Sequence, residues 1–120
     1  MPVVDNGAQN PSPLLQQRMA EIGTRFLARS QQDADAMDQL LLRIRAGDAA
    51  APAALRQLAH RVNGAAAALG LPDLSNHAAT VERLTTIAVG GPLLQGTVRA
   101  IGQEIVALRA TLAGLAKRPR

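Results

Sequence analysis

The sequence has no cysteine, tryptophan or tyrosine, and its single aromatic residue is Phe26. Without cysteine, the chain has no disulfide, no thiolate nucleophile and no zinc–thiolate site. Strands favour branched and aromatic side chains, whereas alanine, the commonest residue here, is the best helix former. The composition therefore argues against a β-sandwich or barrel. It predicts an all-α fold, and 120 residues are enough for one domain.

An excess of positive charge is also missing from most of the chain. The formal net charge is +4, and Lys117, Arg118 and Arg120 supply three of the positive charges. A nearly neutral body without stacking aromatics argues against a nucleic-acid partner. The first residues form no secretory signal, and the longest uncharged stretch, residues 84–98, is broken by glycine and proline and is too short to span a bilayer comfortably. We expect a cytoplasmic protein with no membrane partner.

The chain divides into a flexible leader at residues 1–12, a helical bundle at 13–116 and a basic tail at 117–120. Ser12 suits the cap of a helix whose first position is Pro13. Apolar residues then recur at helical spacing, pause at Ser30 and Asp33, and resume at Met37 in nearly the same phase. Either one long helix has a weak middle, or two helices meet near Ser30 and the bundle has a short extra N-terminal helix. The first part of this repeat consists of Leu15, Met19, Ile22 and Phe26.

Three further helices follow, each with a proline at its first turn, at Pro52, Pro72 and Pro92. Their apolar stripes are Leu55, Leu58, Val62, Ala65 and Leu69; Leu74, Ala78, Val81, Leu84 and Ala88; and Leu94, Val98, Ile101, Ile105, Leu108, Leu112 and Leu115. The last stripe alternates by four and three, which suits either a dimerising coiled coil or the core of a bundle. Because three other amphipathic helices are present, the core is favoured. Short loops then predict a monomeric antiparallel four-helix bundle.

His60 breaks the pattern of its helix. It lies about 180° from the centre of the apolar stripe, so its side chain should point to solvent. Gly64 and Ala67 follow on the same outer face, where a glycine costs roughly 1 kcal/mol relative to alanine. Access of a large partner to a nucleophilic imidazole, flanked by Arg56 and Asn63, explains that glycine. The alternative is an ordinary surface histidine beside an incidental glycine.

The segment around His60 resembles the signature of histidine phosphotransfer (HPt) domains, roughly A-H-x-L-K-G-x-A-x-x-L-G. The matching residues include Ala59, His60, Gly64, Leu69 and Gly70, with Val62 in place of leucine. The continuation of the motif is similar at Leu74, Ala78, Val81 and Glu82. The strong part of the resemblance covers residues 58–82, and weaker agreement extends from residue 22 to residue 115.

The resemblance implies a four-helix bundle that relays a phosphoryl group in two-component signalling. His60 would accept it, usually on Nε2, from the aspartyl phosphate of a response-regulator receiver domain or a hybrid histidine kinase, and pass it to another receiver. Gly64 and Ala67 would give clearance for the partner. Mg²⁺ would belong to the receiver's acidic pocket. We therefore expect no metal, no cofactor and no kinase activity of its own in this chain.

Asn63 departs from the family, which often has a lysine at this position. Asparagine donates hydrogen bonds but carries no charge, so we expect Arg56 or Arg61 to neutralise the phosphoryl group. The departure keeps a second function open. The chain is then a non-catalytic helical adaptor or dimerisation module, or a degenerate HPt-like domain that docks a receiver without accepting phosphate.

Three other features have structural interpretations. His77, at the edge of an apolar stripe, is expected to be partly buried. Glu82 is expected to be a surface residue beside the helix that carries His60. Asp33, Asp35 and Asp38 are expected to form a solvated helix start, where acids complement the helix dipole.

Overall fold

The computed structural model describes residues 12–88 and 94–117, which form four α-helices. They are α1 (Pro13–Arg45), α2 (Ala51–Ala68), α3 (Pro72–Ala88) and α4 (Gln95–Ala116). Consecutive helices pack together and α4 returns to α1, as predicted for an antiparallel bundle. The expectations for residues 1–11, for Pro92, for the side chain of Ala88 and for residues 118–120 lie outside the described part. Within that part, no helix is long and apolar enough to cross a membrane.

α1 is one continuous helix of 33 residues rather than two helices that meet near Ser30. Ser12 caps it as predicted, because its side chain accepts a hydrogen bond from the backbone N–H of Leu15 at 3.1 Å. The helix ends before Gly47, whose φ of 88° is a conformation that glycine adopts without steric cost. At 1.5 Å per residue, α1 is about 50 Å long.

The weak middle of α1 is buried, and an ion pair with α2 compensates the charge of its aspartate. Ser30 is 2% exposed and Asp33 is 7% exposed. Asp33 Oδ1 accepts a hydrogen bond from Arg61 Nη2 at 3.0 Å and lies 3.4 Å from Arg29 Nε. The carboxylate therefore stays within the helix packing and connects α1 to α2.

Asp35 and Asp38 connect α1 to α4. Both carboxylates bind the guanidinium of Arg109, and the hydrogen bond with Asp35 raises the pKa of Arg109 further above its ordinary value. The solvation expected of these aspartates holds for Asp35, whose side chain is 71% exposed, and fails for Asp33. The expected helix start is wrong for all three aspartates. They lie in the middle of α1, because the helix does not break at Ser30.

The core differs from the predicted stripes at a few positions. In α4 the predicted seam is buried from Ile101 to Leu112, whereas Leu94 is 75% exposed. In α2, Ala59 and Ala66 are buried, whereas the predicted Ala65 and Leu69 are exposed. α2 is thus rotated relative to the prediction. The buried apolar residues are Ala34, Met37, Leu41, Ile44, Ala51, Leu55, Leu58, Ala59, Val62, Ala66, Leu74, Ala78, Val81, Ile101, Ile105, Leu108 and Leu112.

The first part of α1 extends beyond the bundle, and we call residues 13–25 the arm. Leu15, Met19 and Ile22 were expected to face inward, but they are 50%, 58% and 51% exposed. Phe26, the next residue of the same repeat, packs against the core. The expectation that these residues face inward is wrong for the arm, because α1 extends beyond the other described helices.

Candidate functional site

His60 projects from the middle of α2 into solvent, as predicted, and its side chain is 72% exposed. Its Nδ1 lies 2.8 Å from Oε2 of Glu82 on α3. An ionised carboxylate only accepts hydrogen bonds, so we assign the ring proton to Nδ1. Nε2, on the other side of the ring, then carries the lone pair. The neutral ring thus exposes its unprotonated nitrogen.

Glu82 is positioned by the packing of α3. Leu74, Ala78 and Val81 are fully buried, which places the next residue, Glu82, at the edge of the buried face beside α2. Its side chain is 24% exposed. Sequence reasoning placed Glu82 near the histidine helix but missed the hydrogen bond, because the register between α2 and α3 is not visible in either helix alone.

Gly64 has no side chain, so nothing projects from this position of the helix beside His60. Apart from its chain neighbours and the adjacent backbone of α2, a Cβ atom at this position would meet no atom within 4 Å. Packing against the rest of the described molecule therefore does not explain the glycine. Gly64 and Ala67 are both exposed, about one and two turns after His60. The small residues therefore clear the outer face, as the access hypothesis requires.

Arg56 and Asn63 lie on the same side of α2 as His60. Arg56 is half-buried one turn before the histidine and takes part in none of the ion pairs found among the described residues. Asn63 accepts a hydrogen bond from Ser75 Oγ at its Oδ1, at 2.6 Å, which anchors the amide between α2 and α3. No hydrogen bond from its Nδ2 group is found among the described residues.

Arg61 is directed away from the other residues of the predicted site. It follows His60 directly and is therefore rotated by about 100° around the helix. Its Nη2 binds Asp33 of α1 at 3.0 Å. Arg56, Asn63, Gly64 and Ala67 thus lie on the same side of α2 as His60. The guanidinium of Arg61 pairs with Asp33 instead.

The second histidine offers a comparison within the same molecule. His77 Nδ1 lies 3.0 Å from Glu104 Oε1, and the two side chains are 30% and 29% exposed. The prediction that His77 is partly buried is confirmed. Each histidine has its own carboxylate partner at Nδ1, but the His77 side chain is much less exposed than that of His60.

The site combines an exposed imidazole nitrogen, a carboxylate on the opposite nitrogen and one neighbouring cation. The ring stands on an open helix surface, whereas small ligands are usually enclosed in concave pockets. The geometry suits attack on an electrophile that another macromolecule presents.

One family model matches the chain. It is described as the Hpt domain and covers residues 21–117, which include the packed part of α1, the site around His60 and α4. Neither a curated protein nor a solved structure matches the sequence.

Proposed function

We propose that this chain, which belongs to the Hpt domain family, carries a phosphoryl group on Nε2 of His60. Hpt domains have a phosphotransfer role in two-component signalling, where they interact with receiver domains and histidine kinases. The observation that carries the proposal is the His60–Glu82 hydrogen bond, because in the neutral ring it favours the proton on Nδ1 and leaves the lone pair on Nε2 of a side chain that is 72% exposed. The donors and acceptors are aspartates of response-regulator receiver domains, including those of hybrid kinases.

The transfer step needs no proton donor or acceptor outside the site. The Nε2 lone pair attacks the phosphorus of a receiver's aspartyl phosphate, and the P–N bond forms while the P–O bond to the aspartate breaks. The bonding electron pair leaves with the aspartate carboxylate. The ring keeps its proton on Nδ1 and becomes positive, and the Glu82 carboxylate at 2.8 Å balances that charge. The reverse step returns the phosphoryl group to a second receiver.

The surrounding residues support docking and charge neutralisation. Gly64 and Ala67 lower the helix surface, so that a receiver approaches the ring closely. Arg56 supplies a positive charge toward the phosphoryl oxygens, and the amide of Asn63 adds a hydrogen-bond donor. Arg61 contributes less, because Asp33 already shares its charge.

The test is transfer of labelled phosphate from a panel of phosphorylated receiver domains to the full chain. We expect a label on the protein that is acid-labile and base-stable, as a phosphohistidine is. His60→Gln should abolish it. His77→Gln is the matched control, because it removes the other histidine with a carboxylate partner, and it should keep the label.

Two outcomes contradict the proposal. A label that persists in His60→Gln moves the chemistry to another residue. Stable docking of a receiver without any transfer of label assigns the chain to the alternative, a helical adaptor or a degenerate domain that binds a receiver and accepts no phosphate.

A further inference from the structure

The arm carries an apolar stripe that no described helix covers. Leu15, Met19 and Ile22 are at least half exposed, and their four–three spacing continues through Phe26 to Met37, which is fully buried. The seam that α2 and α4 fill within the bundle is therefore open along the arm. An amphipathic helix with such a seam usually packs against another helix.

Arginines line one edge of this stripe. Arg18, Arg25 and Arg29 are spaced by seven and four residues, so they form a row at roughly 60° from the centre of the stripe. Arg18 and Arg25 take part in none of the ion pairs found among the described residues. The one acid of the arm, Glu21, lies further round the helix. The edge is thus basic and its charges are available to a partner.

A small cavity marks the point where the arm joins the bundle. It has a volume of about 220 Å³ and lies between α1 and α2, with Phe26, Arg29, Val62 and Ala65 among its lining residues. Arg29, the last residue of the arginine row, lines this cavity on the side of α1 that faces α2. A helix that lies along the arm therefore finds an apolar recess at one end of the stripe.

The charges discriminate between a second copy of the chain and a different partner. An antiparallel pair of arms keeps the two bundles apart, but it brings the arginine edge of one arm against the arginine edge of the other. Like charges at such positions oppose pairing, whereas acidic side chains at them favour it.

We propose that the arm docks an acidic amphipathic helix of a partner protein. The apolar face of that helix packs on Leu15, Met19 and Ile22, and its carboxylates pair with Arg18 and Arg25. This interaction lies outside the His60 site and does not depend on phosphoryl transfer.

The test uses two fluorescently labelled helical peptides of roughly three heptads, with leucine at the a and d positions. One peptide has glutamate at every e and g position and the other has lysine, so like charges keep each from pairing with itself. We expect the full chain to bind the glutamate peptide at least about tenfold more tightly than the lysine peptide. The double variant R18E/R25E should reverse this preference, and L15S/M19S/I22S should bind neither peptide.

Matched controls lie on the bundle. Val106→Ser removes an apolar side chain that is 68% exposed, and Arg43→Glu reverses an exposed charge near the other end of α1. Both should leave the affinity for the glutamate peptide unchanged. Circular dichroism of each variant should show an unchanged helical bundle, because the substituted side chains are exposed.

Several results would overturn the proposal. Equal affinity for the two peptides reduces the stripe to unspecific apolar binding. If sedimentation shows a dimer that L15S/M19S/I22S abolishes, the stripe binds a second copy of the chain. If the chain binds preferentially to phosphatidylserine vesicles, the stripe binds a lipid surface. Binding that requires removal of residues 2–11 assigns it to that segment. Labelling of His60 is scored separately in every variant, so failure here leaves the phosphotransfer proposal intact, and the converse also holds.

Discussion

At the scale of the residue, the proposed phosphoryl transfer depends on which nitrogen of His60 carries the proton. The Glu82 carboxylate holds Nδ1 at 2.8 Å. In Glu82→Ala we expect the neutral ring to populate both tautomers, so that less of it presents an unprotonated Nε2. Phosphoryl transfer should slow by up to about tenfold. Nitrogen-15 NMR of the His60 ring measures the tautomer ratio, and labelled-phosphate kinetics measure the rate.

The control for this prediction is Glu104→Ala. It removes the equivalent carboxylate from His77 and should change neither the His60 tautomer nor the transfer rate. If Glu82→Ala keeps both the wild-type tautomer and the wild-type rate, Glu82 does not position the ring for transfer.

The two arginines near His60 give a second prediction at this scale. Arg56 is half-buried beside the histidine and has no ion-pair partner among the described residues, whereas Arg61 is bound to Asp33. Arg56→Ala should therefore slow transfer several-fold, because a nearby cation stabilises the phosphoryl charge. Arg61→Ala should slow it less while lowering the midpoint of urea unfolding, because Asp33 loses its closest partner. Equal or reversed effects on transfer would contradict this assignment.

At the scale of the helix, alanine limits what a sequence can predict. The cap of α1 at Ser12 and the seam of α4 follow from patterns of distinctive residues. The continuity of α1 through Ser30 did not follow, because the periodicity suited one helix as well as two. In α2, however, the run of alanines from Ala65 to Ala68 gives no contrast between inward and outward positions. The rotation that buries Ala66 and exposes Ala65 is set by packing, and α2 packs most extensively against α3. Small residues at Ala59 and Ala66 suit such a close approach.

The contact between His60 and Glu82 is also determined by the packing between helices. Both residues were singled out from the sequence, and the exposure of His60 was predicted from the pattern of α2 alone. Their contact depends on the register between two helices, which periodicity within one helix does not determine. The burial of Asp33 was likewise hidden, because its partner Arg61 comes from another helix.

Gly64 gives a prediction in which stability and activity move in opposite directions. Outside its chain neighbours and the adjacent backbone of α2, no atom lies within 4 Å of a Cβ placed there, so Gly64→Ala should stabilise α2 by about 1 kcal/mol through helix propensity alone. The added methyl group stands beside the approach to Nε2, so transfer should slow. Urea unfolding and labelled-phosphate kinetics measure the two effects. Gly23→Ala, at another open helical position, should leave transfer unchanged, and a Gly64→Ala variant that transfers at the normal rate would refute the clearance role.

At the scale of the whole molecule, the chain combines a packed bundle with an uncovered arm. The bundle holds His60 and Glu82 on adjacent helices and carries interhelical ion pairs on two sides of α1. The arm shares its backbone with α1 and has no described helix against its apolar stripe. The two parts should therefore differ in stability even though they belong to one continuous helix.

Hydrogen exchange tests this difference directly. An isolated helix as short as the arm is marginal in water, so its amides should open by local fraying without unfolding of the bundle. We expect amides of residues 17–25 to exchange at least about a hundredfold faster than those of residues 34–44, as measured by exchange mass spectrometry. Because a docked helix covers the stripe, the glutamate peptide should slow exchange in the arm and leave residues 34–44 unchanged. Equal protection along α1 in the chain alone would show that the arm is already covered in solution.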